Sequence, residues 1–109
     1  MFTKRTNTGY RELLDGVQMK TLAHGDKTLL AEFHLQKGAA IPVHAHIYEQ
    51  TGYMVSGKMR FTIGSEQFEC NPGDNWCIPG DVEHGVDVLE DAVVVEVFSP
   101  VREDYLPGE

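Results

Sequence analysis

His44 and His46 stand two residues apart. In an extended segment side chains two apart project to the same face, so both imidazoles would be presented to one point, as a metal ion requires. His84 is the third imidazole expected to close that site, far along the chain and just after the turn-forming cluster Pro79, Gly80 and Asp81. Gln50 offers an amide oxygen as a fourth donor. Glu49 is a competing carboxylate, but as the neighbour of Gln50 it should point to the other face of the same strand. Three neutral imidazoles and an amide bind a divalent first-row metal and leave its charge unneutralised, so bound water or a substrate oxygen is strongly polarised. One such ion is expected, and zinc, nickel, manganese and iron(II) all suit these donors.

A ligand pair on one stretch and a lone ligand on a distant one meet only if the sheet between them curls round on itself, which points to a small barrel. The chain has the pattern for it. Val17, Met19, Thr21 and Ala23 alternate with Gln18, Lys20, Leu22 and His24, and His24 to Lys27 is a turn. From Thr28 to Gln36 the alternation is cleaner: Leu29, Ala31, Phe33 and Leu35 make one face, while Glu32, His34 and Gln36 share the other, which makes His34 a surface histidine. Strands are expected over Gln50 to Val55, Met59 to Ile63 and Glu66 to Cys70, joined by turns at Ser56-Gly57-Lys58 and Gly64-Ser65. Trp76 to Ile78 follows the turn Pro72-Gly73-Asp74. The last two, His84 to Leu89 and Ala92 to Ser99, are expected to form a hairpin across Glu90-Asp91. Met1 to Tyr10 shows no period and reads as an edge strand or an arm exchanged with a partner. Val101 to Glu109 reads as a polar tail. Short strands with Gly, Pro and Asp turns at this spacing are the pattern of an all-β sandwich or small barrel.

At 109 residues the chain has room for one core and hence one domain. Its 41% hydrophobic and 24% charged content is that of a soluble globular protein. Nine Lys and Arg against 17 Asp and Glu give a net charge of -8, which argues against nucleic acid and anionic membrane as partners but leaves room for a small anion held by one local cation and a metal. No run is long and apolar enough to span a membrane, and the first residues lack the apolar core of a signal peptide, so a cytoplasmic location is expected. In that compartment Cys70 and Cys77 are expected as reduced, mostly buried thiols rather than a disulfide.

The final strand supplies the remaining chemistry. Val93, Val95 and Val97 occupy one face, and Ala92, Val94, Glu96 and Phe98 the other. A lone carboxylate on an apolar strand either faces solvent or lines the cavity as an acid or base. Phe98 two residues on and Arg102 just past Pro100 favour the cavity, since together they would make an apolar wall and an anion clamp at one mouth. Arg102 could equally pair with Glu103 or Asp104 at the surface. Met54 and Met59, like Trp76, Tyr48 and Tyr53, read first as core or pocket-wall packing; Met54 and Met59 flank the Ser56-Gly57 turn and would shape a ligand if they line the mouth. If the valine row faces outward, a second copy of the chain would cover it, so a homodimer is expected.

Gly38, five residues, His44, His46, three residues, Gln50, six residues and Gly57 resemble the first motif of the cupins, whose usual acidic ligand would stand at Gln50. Gly73, five residues, Pro79 and then His84 resemble the second, spanning 73–88, with Asp81 where that motif usually has glycine and Val88 where it often has asparagine. The resemblance implies a single cupin domain over 1–109, a double-stranded β-helix or jelly-roll barrel. Glu96, Phe98 and Arg102 further resemble the C-terminal site of the pectin-degradation cupins, which convert unsaturated uronates to linear keto sugars; those proteins carry an aspartate where Glu96 stands. The extra methylene moves the carboxylate by about 1 Å, a displacement that matters to proton transfer.

Three functions follow as alternatives. In the first, a metal held by His44, His46, Gln50 and His84 polarises a substrate oxygen, Glu96 moves a proton, and Arg102 holds the carboxylate of a small sugar acid against Phe98. In the second the same ligands hold iron(II) in a dioxygenase of a small organic acid or thiol. In the third the barrel is a noncatalytic binding module for a small ligand.

Overall fold

Leu29, Ala31, Phe33 and Leu35 are buried, while the residues between them are partly exposed, His34 among them with 43% of its side chain accessible. That period of two is the clean alternation expected from Thr28 to Gln36, and it sets the inner and outer faces for the strands paired to it. The computed structural model describes residues 1–107. The strands are β1 (Arg11–Leu14), β2 (Val17–His24), β3 (Leu29–Leu35), β4 (Ala40–His44), β5 (Glu49–Ile63), β6 (Glu66–Cys70), β7 (Asn75–Ile78) and β8 (His84–Ser99), followed by one turn of 3₁₀ helix, Glu103–Tyr105.

All strand pairings are antiparallel, in the order β1-β2-β3-β8-β5-β6, with β4 also on β8 and β7 also on β5. The two long strands carry the architecture. The second half of β8 lies between β3 and the first half of β5, and β7 flanks that layer; the first half of β8 lies between β4 and the second half of β5, with β6 beyond. Because β5 and β8 pass from one layer to the other, the layers close into the jelly-roll barrel. The inward residues fill it: Phe61, Phe98, Met19, Leu29, Met54, Met59, Ile78 and Val17 are each less than 2% exposed. Burying a side chain as large as Phe61 or Phe98 stabilises by about 2–3 kcal/mol.

Two turns expected from the sequence are bends instead. Ser56-Gly57-Lys58 does not reverse the chain but sits inside β5, and Glu90-Asp91 sits inside β8, so neither a strand pair around residue 57 nor a hairpin at residue 90 forms. The physical reason is that β5 and β8 pair along nearly their whole length, with the register shifting between Met54 and Met59. Bulges there absorb the bend while the ladder continues. Gly57 has φ 87°, and a Cβ on it would overlap the Asp91 carbonyl, so glycine is needed here for close approach of two bent strands.

The termini also differ from expectation. Residues 1–10 form no strand; β1 takes the sheet edge instead. The segment lies on this chain's own outer face, where Tyr10 donates a hydrogen bond to Glu32 and its ring sits 4.6 Å from that of His34, and Lys20 Nζ donates to Thr6 Oγ1 at 2.6 Å. The tail after Pro100 is not simply polar, since Val101, Tyr105 and Leu106 pack against the core; its last two residues, Gly108 and Glu109, lie outside the described residues. Cys70 and Cys77 are not joined, and only Cys70 is buried. Among the described residues no helix is long and apolar enough to cross a membrane.

Candidate metal centre and its cavity

The centre is assembled where β4 meets the start of β8. His44 ends β4 and pairs directly with His84, the first residue of β8, which places their rings 4.4 Å apart. His46 follows in the loop after β4, its ring 4.9 Å from His84. A second contact holds the two stretches together: Asp81 N–H donates to the His46 carbonyl at 2.7 Å. Asp81 has φ 66°, the left-handed conformation that glycine usually supplies and that aspartate is among the few residues to tolerate. Aspartate can therefore stand where the cupin motif has glycine.

The three imidazoles each offer one nitrogen within 4.8 Å of the others, a spacing from which all three can reach one ion. Their tautomers are set by the backbone. His44 Nδ1 lies 2.8 Å from the Pro42 carbonyl, His46 Nδ1 3.1 Å from that of Tyr48, and His84 Nδ1 2.9 Å from that of Val82. A carbonyl can only accept, so each Nδ1 carries the proton and each Nε2 presents a lone pair to the centre. Burial holds His46 and His84 below the usual histidine range, with the Arg102 charge acting in the same direction, and so favours the neutral, ligating form.

Gln50 is 4% exposed and its amide nitrogen donates to Glu96 Oε2. A carboxylate accepts only, so the amide oxygen must face the other way. That oxygen is buried without a hydrogen-bond partner, and so is His46 Nε2. Two orphaned buried acceptors beside two further imidazoles are electron-pair donors suited to a cation. The residues fit a divalent metal. Glu49, the competing carboxylate, is exposed on the outer side of β5.

The same cavity, of about 460 Å³, is lined by His44, His46, His84, Gln50, Glu96 and Arg102, with Phe98 and Tyr105 in its wall. The cavity orientation of Glu96, left open by the strand pattern, is decided: it points inward between Ala31 and Gly52 on the flanking strands. Burial pushes its carboxyl up to about 7, against the opposing effects of the hydrogen bonds from Trp76 and Gln50 and of the Arg102 charge. What surface the residue retains opens on the cavity it lines. Both donors address Oε2, which leaves Oε1 as the carboxyl oxygen available there.

Arg102 does both of the things its position allowed. It lines the cavity, 15% exposed, and it pairs with Asp104 at 2.8 Å rather than with Glu103. Its guanidinium lies 3.9 Å from the centre of the Tyr105 ring and 5.0 Å from those of Tyr48 and Phe98, so three aromatic faces hold it in place. Met54 and Met59 are elsewhere: at 0% and 1% exposed they belong to the core and do not line this cavity. Their side chains alternate inward from β5, away from the mouth that the expected turn would have given them. The contacts that sequence reasoning missed are the Trp76 indole on Glu96 and the Tyr105 ring on Arg102. For the first, Gly52 inside a strand was the available signal of a close approach; for the second there was none.

A cupin domain profile matches residues 31–99. Over 101 residues the chain is 33% identical to the pectin degradation protein KdgF of Dickeya dadantii, an alignment covering 91% of this chain and 92% of that protein. The solved structure of KdgF from a Halomonas species superposes with a TM-score of 0.85 at 31% identity, covering 89% of this chain and 92% of that one. An RmlC-like cupin from Shewanella frigidimarina superposes with a TM-score of 0.91 at 26% identity, over 96% of this chain and 95% of that one.

Proposed function

The chain belongs to the cupin domain family, and on that premise we propose that it is a metal-dependent isomerase of pectin degradation that opens an unsaturated uronate ring and tautomerises it to a linear keto acid. The observation that carries this is the placement of Glu96 and Arg102 in one cavity with three imidazoles whose ligating nitrogens lie within 4.8 Å of one another. Likeness to the two KdgF proteins supports the substrate class.

The reaction needs no net redox change. A proton leaves the anomeric hydroxyl as the bond from C1 to the ring oxygen breaks, and a proton arrives at C4 as the resulting enol becomes a ketone. A divalent ion bound by His44, His46, His84 and Gln50, whether zinc, nickel, manganese or iron, would supply Lewis acidity to a substrate oxygen. Glu96 Oε1 takes the hydroxyl proton and returns it to carbon, a cycle suited to a carboxyl held near 7. The substrate carboxylate lies against Arg102, sharing that guanidinium with Asp104, and Phe98 packs on the sugar face. The longer side chain at Glu96, where related cupins have aspartate, is accommodated because its extra reach ends on Gln50 and Trp76.

Metal-loaded protein incubated with an unsaturated uronate is expected to remove its ultraviolet absorbance without consuming oxygen. Unchanged absorbance overturns the proposal, and oxygen uptake with iron(II) replaces it by the dioxygenase. Arg102→Ala is expected to raise KM for the uronate about tenfold to a hundredfold, the loss of one charge-assisted contact, while metal content stays at the wild-type level. An unchanged KM removes Arg102 from substrate binding.

A homodimer is proposed with it. Val93, Val95 and Val97 face outward from β8 and are half-buried, beside Tyr53 and Val55 on β5, which are 49% and 47% exposed. Light scattering across micromolar concentrations is expected to give twice the chain mass, reduced by Tyr53→Glu; a monomer throughout removes the proposal.

A further inference from the structure

Glu96, Gly52 and Trp76 occupy one cross-strand row: Gly52 on β5 is the register partner of Glu96 on β8 and of Trp76 on β7. Adjacent strands are about 4.8 Å apart, so Trp76 and Glu96 start two strand spacings from each other with only Gly52 between them. A Cβ on Gly52 would overlap the Trp76 indole at its nitrogen and the neighbouring ring carbons. The missing side chain is therefore the space in which the indole lies, and across it Trp76 Nε1–H donates to Glu96 Oε2 at 3.4 Å. The indole is braced from its other side by Phe61, edge to face at 5.0 Å, and Phe61 itself lines the metal cavity.

Trp76 and the Gln50 amide both address the same carboxyl oxygen of Glu96. Two donors from different strands fix the carboxyl plane, as one donor alone would not, and turn Oε1 toward the ligand. We propose that Trp76 is a positioning residue for Glu96, and that Gly52 is its necessary counterpart because only glycine leaves room for the indole to reach across the strand. The proposal rests on the proton-transfer role given to Glu96 above. It assigns a function in the site to a residue that does not itself line the metal cavity.

Trp76 is the only tryptophan in the chain, so its fluorescence reports on this contact without turnover. Glu96→Leu, which removes the acceptor, and Gly52→Ala are each expected to change the emission spectrum of Trp76, while Val95→Ala on the outer face leaves it as in wild type. In turnover, Trp76→Phe and Gly52→Ala are each expected to lower kcat for the uronate about fivefold to tenfold with KM changed less than about twofold and metal content intact, as for loss of one orienting hydrogen bond. The double variant should be no slower than the slower single one, because both changes break the same contact. Emission that ignores Glu96→Leu, single-variant losses that multiply in the double variant, or a rise in KM at constant kcat would each overturn the positioning role. If wild type fails to turn over the uronate while the emission changes occur, the proposed function falls and the Trp76–Glu96 contact stands. Should turnover proceed and Trp76→Phe match wild type, the positioning role falls by itself.

Discussion

His84→Ala is expected to lower the affinity for a divalent metal by more than about a hundredfold, since changing even an outer contact of a ligating histidine costs about tenfold to a hundredfold and this change removes a donor outright. His84 is also the ligand with least freedom to be replaced. It is 4% exposed, pinned through Nδ1 to the Val82 carbonyl and paired in register with His44. Elemental analysis of protein purified without an affinity tag should show wild type loaded and the variant empty. Removing the metal with a chelator should lower the melting temperature of wild type and leave that of the variant unmoved, because an ion stabilises a fold only as far as the native state binds it. His34→Ala is the control: that histidine lies on the outer face against Tyr10 and should keep full metal content. A His84→Ala protein that retains its metal would mean that the centre is closed by some other residue.

Glu96→Gln is expected to lower kcat for the uronate about 10²- to 10⁴-fold, the usual contribution of a positioned proton-transfer group. The substitution keeps shape and volume, and its side-chain carbonyl can still accept from Gln50 and Trp76, so the fold and the metal centre should be unaffected while the proton carrier is lost. KM should change by less than about threefold, because Arg102 and the cavity wall still hold the substrate. Glu96→Asp provides a second test. It keeps the acid but withdraws it from Gln50 and Trp76, so its kcat should fall between wild type and Glu96→Gln. Turnover undiminished in Glu96→Gln would end the proton-transfer role. An unaltered rate in Glu96→Asp would mean that reach to those two donors is irrelevant.

How far such a site can be read from the chain depends on the range of the interactions that make it. The apolar alternation of β3 is a local pattern that strand geometry converts directly into faces, whereas His44 ends β4, His46 lies in the loop after it and Gln50 stands on β5, so their spacing is legible but their convergence depends on how that loop is held. The jelly-roll architecture followed from strand-length runs and from the two cupin motifs. What misled was turn chemistry: Ser56-Gly57 and Glu90-Asp91 carry the residues of a reversal, yet the ladder between β5 and β8 continues through both positions and uses them as bends. The same turn is the ground for offering Met54 and Met59 a place at the mouth; they take the packing role that is the other reading.

From the sequence alone came the three imidazoles that the fold brings together, the barrel, and the carboxylate on an apolar strand, because each depends on periodicity, on the cupin motifs or on the chemistry of one residue type. Tertiary structure alone decided which way Glu96 points, that the Gln50 amide nitrogen donates to Glu96 while its oxygen is buried without a partner, that Trp76 reaches across Gly52, and that a C-terminal turn brings Tyr105 onto Arg102. Each of these is a contact between strands or segments distant in the chain. The register that creates such contacts is fixed by the packing of the whole barrel, and no short stretch of sequence contains it.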